Sequence, residues 1–239
     1  MEEIIGRHER IALQLSGGKD SLAMLYLMRP YWDRLTVYWL NTGDAFPETL
    51  ELMTEVSKLV PNFVVVLGEQ PEVIRVFGIP SDLVPANSTP IGLSASRGEV
   101  MIQDRYSCCG RSLMLPMHAR MKADGITLVI RGQKASDKFR APIKSGYVED
   151  GIEYLFPIED WDNAKVFAFL ESEGVAVPRF YEVMSAMPDC MTCSAWWEDG
   201  RAAYLKQYHP EAYEEYQRRL NAISAATAEA IMHFNVEIG

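Results

Sequence analysis

The chain has 239 residues, 48% of them hydrophobic, enough to bury the core of one sizeable domain with a small appendage. Its 33 acidic residues outnumber 23 basic ones, for a formal net charge of -10. That balance excludes broad nonspecific binding to nucleic acid or to an anionic membrane and leaves room only for a local basic groove. No apolar run approaches a bilayer-spanning length, and the charged opening "MEEIIGRHER" has no secretory apolar region, so a cytoplasmic protein with no membrane partner is expected.

In chain order, "IALQL" at residues 11–15 reads as a strand, "SGGKDS" at 16–21 as a turn, and residues 22–32 as a helix. "LTVYWL" predicts a second strand, the loop "NTGDAFP" follows, and a helix begins near Glu48. "NFVVVLG" is a third strand, and residues 78–98, rich in Pro, Ser and Gly, read as a surface loop or lid. A helix over residues 108–122, a strand "ITLVIRG", a basic turn-rich segment over 133–151, a strand "EYLFPI" and a helix over 161–173 complete the pattern. One or two further helices are expected from residue 201 onward. Short strands alternating with amphipathic helices predict an α/β fold, a Rossmann-like, mostly parallel sheet with helices on both faces and a C-terminal helical segment. The expected division is a nucleotide-binding domain with a metal site over residues 1–195 and a helical extension over 196–239.

The turn is the first candidate site. Gly17 and Gly18 let backbone approach an anion, and the amides opening the next helix point toward it. Lys19 adds a positive charge to the rim, and Ser16 and Ser21 supply hydroxyls. An ordinary strand-to-helix turn capped by Asp20 or Ser21 is the plainer reading. The full string between a strand and a helix favours a phosphate cradle, although the spacing is not that of the Walker loop.

Four cysteines, Cys108, Cys109, Cys190 and Cys193, form the second candidate, as "SCCG" and "DCMTC". A tandem Cys-Cys cannot close a normal disulfide, and two adjacent ligands ask for a strained local backbone. Spacing alone leaves open an iron–sulfur cluster, a tetrahedral zinc and a redox dithiol. Trp196 and Trp197 follow the second pair directly and read either as a shield for such a centre or as ordinary core aromatics, and His118 reads as a packed residue.

"SGGKDS" resembles the PP-loop of the ATP pyrophosphatases. "LNTGDAFPET" (40–49) and "RGQKASDKFR" (131–140) extend the likeness to the phosphoadenosine phosphosulfate (PAPS) reductase family, and with the cysteines the motifs span residues 11–194. The resemblance implies an adenine nucleotide held by Ser16, Gly17, Gly18, Lys19, Asp20, Ser21, Thr42, Gly43, Gly132, Lys134, Lys138 and Arg140. Lys19, Asp20, Lys134 and Arg140 would be the catalytic set, and Lys144 adds charge to the same loop. Thr42 and Asp44 would contact the nucleotide or cap the helix near Glu48. The resemblance also implies a 4Fe–4S cluster on all four cysteines, with Arg111 matching a CCxxR pattern.

Two departures steer the function. The chain has no fifth cysteine in a tail resembling ECGLH, and it keeps Lys19 and Asp20, as ATP-cleaving relatives do. The expected activity is therefore ATP-dependent sulfur transfer or nucleotide activation, adenylylating a substrate and releasing pyrophosphate, with Mg²⁺ on the ATP. One alternative is a PAPS or adenylylsulfate reductase using a thiol in trans, and another is a non-catalytic nucleotide-binding module. The partners implied are the nucleotide and a sulfur-donor protein or thioredoxin-like reductant, and a homo-oligomer is compatible.

Overall fold

A computed structural model describes residues 1–96, 98–137 and 140–238. The elements are α1 (Glu2–Gly6), β1 (Ile11–Gln14), α2 (Lys19–Leu27), β2 (Leu35–Asn41), α3 (Pro47–Leu59), β3 (Phe63–Leu67), α4 (Gln70–Phe77), β4 (Ile79–Ser81), α5 (Pro90–Ala95), β5 (Ile102–Asp104) and α6 (Arg105–Cys109). After a π-helical turn over Gly110–Met114 come α7 (Leu115–Ala123), β6 (Leu128–Ile130), β7 (Val148–Glu149), β8 (Ile152–Leu155), α8 (Asn163–Ser172), α9 (Arg201–Tyr208) and α10 (Pro210–Ile238).

Contacts divide the chain into two interleaved units. The first is Met1–Asn41, Pro47–Val66 and Met117–Arg179; the second is Thr42–Phe46, Leu67–Pro116 and Phe180–Gly239. Residues 196–239 belong to the second.

In the first unit six strands lie in the order β3-β2-β1-β6-β8-β7. β1 pairs parallel with β2 (Ile11 opposite Leu35) and with β6 (Ile11 opposite Leu128), and β6 pairs parallel with β8. The short β7 is antiparallel to β8. Ala12, Leu13, Leu128, Val129 and Ile130 are fully buried, as central strands covered on both faces require. The helix α2 lays Leu22, Met24 and Leu25 into the core and packs against α8, which contributes Val166 and Leu170. The expected α/β fold is therefore present, with α2 starting at Lys19 rather than Leu22 and giving way near Arg29 to a short 3₁₀ turn (Arg29–Arg34).

The second unit departs from the sequence reading. Residues 78–98 are not a plain loop: β4 pairs parallel with β5 (Ile79 opposite Ile102), and α5 is capped by Thr89, whose hydroxyl oxygen accepts from Gly92 N–H at 3.0 Å. Strands of three residues bounded by Gly and Pro carry too little alternation to read. Ile223 of α10 packs with Ile79 and Ile102. A larger cluster joins Phe46, Phe180, Met184, Tyr204, Leu205, Ala212 and Tyr216. Among the described residues no helix is long and apolar enough to cross a membrane.

Candidate functional site

In the first unit, the sheet order reverses between β1 and β6. β2 and β3 lie to one side of β1, and β6 and β8 to the other. In open parallel sheets ligands bind at such a reversal, outside the carboxyl ends of the strands. The glycine turn leaves β1 and the loop "RGQKASD" leaves β6, so the topology brings the two together.

Gly17 has φ +87°, and a Cβ there would lie 2.9 Å from Met53 Cε and 3.0 Å from Thr49 Cγ2. An added side chain would press on both of these and would be strained by the positive φ itself. A Cβ on Gly132 would lie 2.6 Å from the Asp20 carbonyl oxygen, so the strand exit passes directly over the first turn of α2. The turn is folded on its own hydroxyls: Ser16 and Gly17 N–H each donate to Ser21 Oγ at 3.2 Å, and Ser21 O–H donates to Gly18 O at 2.9 Å. Gly18 occupies the N-cap position of α2 with no side-chain cap, so neither Asp20 nor Ser21 caps the helix.

Lys19 is not an open rim charge. Its side chain is 5% exposed, and its Nζ donates to Asp20 Oδ2 at 2.8 Å. Lys134, 1% exposed, pairs with Asp20 Oδ1 at 2.5 Å and Asp137 Oδ1 at 2.9 Å. Burial alone would lower the Lys134 ammonium, but hydrogen bonds and charges from Asp137 and Asp20 outweigh it and raise it. Two ammonium groups thus face two carboxylates. Asp137 was missed by sequence reading, although its place three residues after Lys134 in a basic loop was a signal. Thr49 was missed as well: its hydroxyl is buried beside Gly17 without a hydrogen-bond partner among the described residues. Arg140 and Lys144 are exposed, and Lys138 lies outside the described residues.

In the second unit, the loop expected to touch a nucleotide holds the CxxC segment. The buried Thr42 accepts from Asp44 N–H at 3.1 Å, and its hydroxyl approaches Asp189 O at 3.5 Å. Asp44 Oδ2 accepts from Thr192 N–H at 2.9 Å and Thr192 O–H at 2.6 Å, and Asp44 O accepts from Met191 N–H at 2.6 Å. Asp44 therefore caps the cysteine loop rather than α3. Burial raises its carboxyl above the usual range, against the Thr192 donors and the charges of Arg219 and Arg201. Gly43, with φ +80°, belongs to the same corner. There Gln70 N–H donates to Thr42 O at 2.8 Å, and the buried Gln70 amide has no partner among the described residues.

All four cysteines are free thiols in this unit. Cys108 and Cys109 close α6, and helical dihedrals continue through Cys109 (φ -61°) and Gly110 (φ -56°) into the π turn. The tandem pair needs no strained backbone; the wider turn after it accommodates both. Burial is the largest cause raising every thiol, Cys108 to about 11 and Cys109 to about 12, and each of the other three feels the charge of Cys193. Among the described residues, no three His, Cys, Asp or Glu side chains are set in an arrangement that holds a metal ion. Arg111 spans from Gln103 Oε1 (2.9 Å) to the Phe77 ring (4.1 Å). Trp197 is 54% exposed, and its ring N–H donates to Ser194 O at 2.9 Å. His118, in the first unit, pairs at the surface with Asp150 at 3.7 Å rather than packing.

The profile of the phosphoadenosine phosphosulfate reductase domain matches residues 10–195. The chain belongs to that family. A phosphoadenosine 5'-phosphosulfate reductase of Proteus mirabilis is 25% identical over 194 residues, 79% of this chain and 73% of that protein. An uncharacterized protein of Methanocaldococcus jannaschii is 24% identical over 213 residues, 86% of this chain. The chain spans only 46% of that relative's length. Among solved structures, the PAPS reductase of Candida auris in a phosphate complex superposes with a TM-score of 0.51 at 17% identity, over 72% of this chain and 76% of that one. That likeness establishes the fold of the family here.

Proposed function

We propose that this member of the PAPS reductase family binds an adenine nucleotide at the turn after β1 and is an ATP-using enzyme of sulfur transfer or nucleotide activation. The observation that carries this reading is the cluster of Lys19, Asp20, Lys134 and Asp137 at the reversal point of a parallel sheet. Phosphate oxygens would take the two ammonium groups together with the amides of residues 16–18, now folded on Ser16 and Ser21. Freed of the lysines, Asp20 and Asp137 offer the hard oxygen donors that a Mg²⁺ carried on ATP prefers, and that ion would supply charge neutralisation at the phosphates. Gly132 keeps the β6 loop close enough for Lys134 to reach. Lys138 and Arg140 belong to the same proposal as further nucleotide contacts. In the reaction, an acceptor attacks the α-phosphorus, the bond to the bridging oxygen breaks, and pyrophosphate leaves with its charge met by Lys19 and Lys134.

The thiols Cys108, Cys109, Cys190 and Cys193 would hold a 4Fe–4S cluster. They fit it in donor chemistry, and the buried Arg201 Nε, with no acceptor among the described residues, marks an electropositive surrounding. Such a cluster supplies one-electron or sulfur-handling chemistry when bound. Zinc suits the same donors.

The family match and the name of the Proteus relative favour a second reading, reduction of PAPS or adenylylsulfate. Within this chain every thiol is buried or half-buried with its pKa raised, hence a poor nucleophile, so the reductant would be a thioredoxin-like thiol in trans. Equilibrium binding and turnover of anaerobic protein separate the readings. Tighter binding of ATP–Mg²⁺ than of either sulfonucleotide, with pyrophosphate formed, is expected. Sulfite released with thioredoxin would give the reductase, and binding without any turnover a nucleotide-binding module.

A further inference from the structure

Arg201 has no exposed surface at all. Its guanidinium donates to Cys193 O at 2.8 Å, Met191 O at 2.9 Å and Trp196 O, so all three acceptors are carbonyls of the loop that carries the CxxC pair. Its other side lies 4.5 Å from the Tyr216 ring. No carboxylate among the described residues pairs with it, and the Asp44 carboxylate of the same corner is engaged by Thr192. Arg219 makes the contrast. It also reaches this loop, donating to Thr192 O at 3.1 Å, but it carries its own counter-ion, Glu215 Oε1, at 2.6 Å. A buried cation without a counter-charge is costly unless an anion completes it.

We propose that Arg201 is the counter-charge of an anionic metal–thiolate centre on Cys108, Cys109, Cys190 and Cys193, and positions the CxxC loop to form it. This rests on the metal reading above. Four thiolates around a metal or iron–sulfur core carry net negative charge, and the three carbonyls that accept from the guanidinium fix the backbone on either side of Cys193. Arg201 therefore acts on the centre through charge and loop geometry, not as a ligand.

The test compares wild type, Arg201→Gln, Arg201→Lys and Arg219→Gln, each reconstituted anaerobically with iron and sulfide and, separately, with zinc. The readouts are metal content, midpoint potential of any iron centre, and zinc affinity by chelator competition, with circular dichroism of the metal-free proteins as the fold control. Arg201→Gln should bind zinc at least tenfold more weakly and hold any iron centre at a lower potential, and Arg201→Lys should recover most of both. Arg219→Gln should change either by less than Arg201→Gln does. A folded Arg201→Gln protein with wild-type metal affinity and potential overturns the proposal. So does an Arg201→Lys protein that loads no better than Arg201→Gln or, should the Gln variant not fold, one that loads tenfold more weakly than wild type. Wild-type protein that takes up neither metal overturns the metal reading itself, and the proposal with it.

Discussion

Both units bury positive charge, and they handle it in opposite ways. In the first, Lys19 and Lys134 meet Asp20 and Asp137, so the cluster is neutral without any ligand. In the second, Arg201 is sealed among loop carbonyls with no carboxylate among the described residues paired to it. A compensated cluster can stand alone and must be opened by an incoming anion, which sets a cost against binding. An uncompensated one is already arranged for an anion. A cradle that charges and releases a nucleotide suits the first design, and a resident centre suits the second.

The largest expected effect tests the second unit. Changing any one of Cys108, Cys109, Cys190 or Cys193 to Ser should abolish the bound centre, read as loss of about four iron and four acid-labile sulfides per chain in anaerobic protein. Stoichiometric zinc in colourless wild type would assign the other metal to the same thiols. In the first unit, Asp20→Asn removes the carboxylate shared by two buried lysines. Urea unfolding should show a loss of about 2–3 kcal/mol, at or below the ~3–5 of a fully buried pair because Asp20 stays 25% exposed. Lys19→Ala should weaken nucleotide binding by about 1.5–3 kcal/mol, a tenfold to hundredfold change in Kd by calorimetry. Unlike an open rim lysine, it should also lower stability, because its removal leaves Asp20 with one partner instead of two.

Two smaller effects sharpen the contrast. Arg218 first, and Arg219 next, pull the Glu215 carboxyl from 4.5 down to about 2. A carboxyl depressed in the folded state contributes stability that is present above its unfolded value and lost as pH falls through its folded value. The stability gap between wild type and Glu215→Gln should therefore be full above about pH 5 and close as pH falls toward 2. Thr49→Val should change stability by less than about 1 kcal/mol, since the hydroxyl it removes is buried without a partner among the described residues. If that hydroxyl takes a phosphate oxygen, nucleotide affinity falls while stability does not.

The sequence by itself determined the parts that local pattern controls. "IALQLSGGKDS" announced a strand, a positive-φ glycine and a helix start, because burial on both faces needs a continuous apolar run and Gly17 tolerates the conformation that the turn demands. The order of strands and helices was legible for the same reason, and so was the grouping of four cysteines. Tertiary structure decided which charges meet. Lys19 and Lys134 are 115 residues apart in sequence, and only the adjacency of β1 and β6 joins both to Asp20. Thr42 and Asp44 read as nucleotide contacts or helix caps, and folding sets both against Asp189, Met191 and Thr192, because hydrogen-bonding groups serve whatever the chain brings beside them. Arg201 gave no signal at all: one arginine after a glycine is ordinary until folding buries it, and burial is a property of the whole chain rather than of its neighbours in sequence.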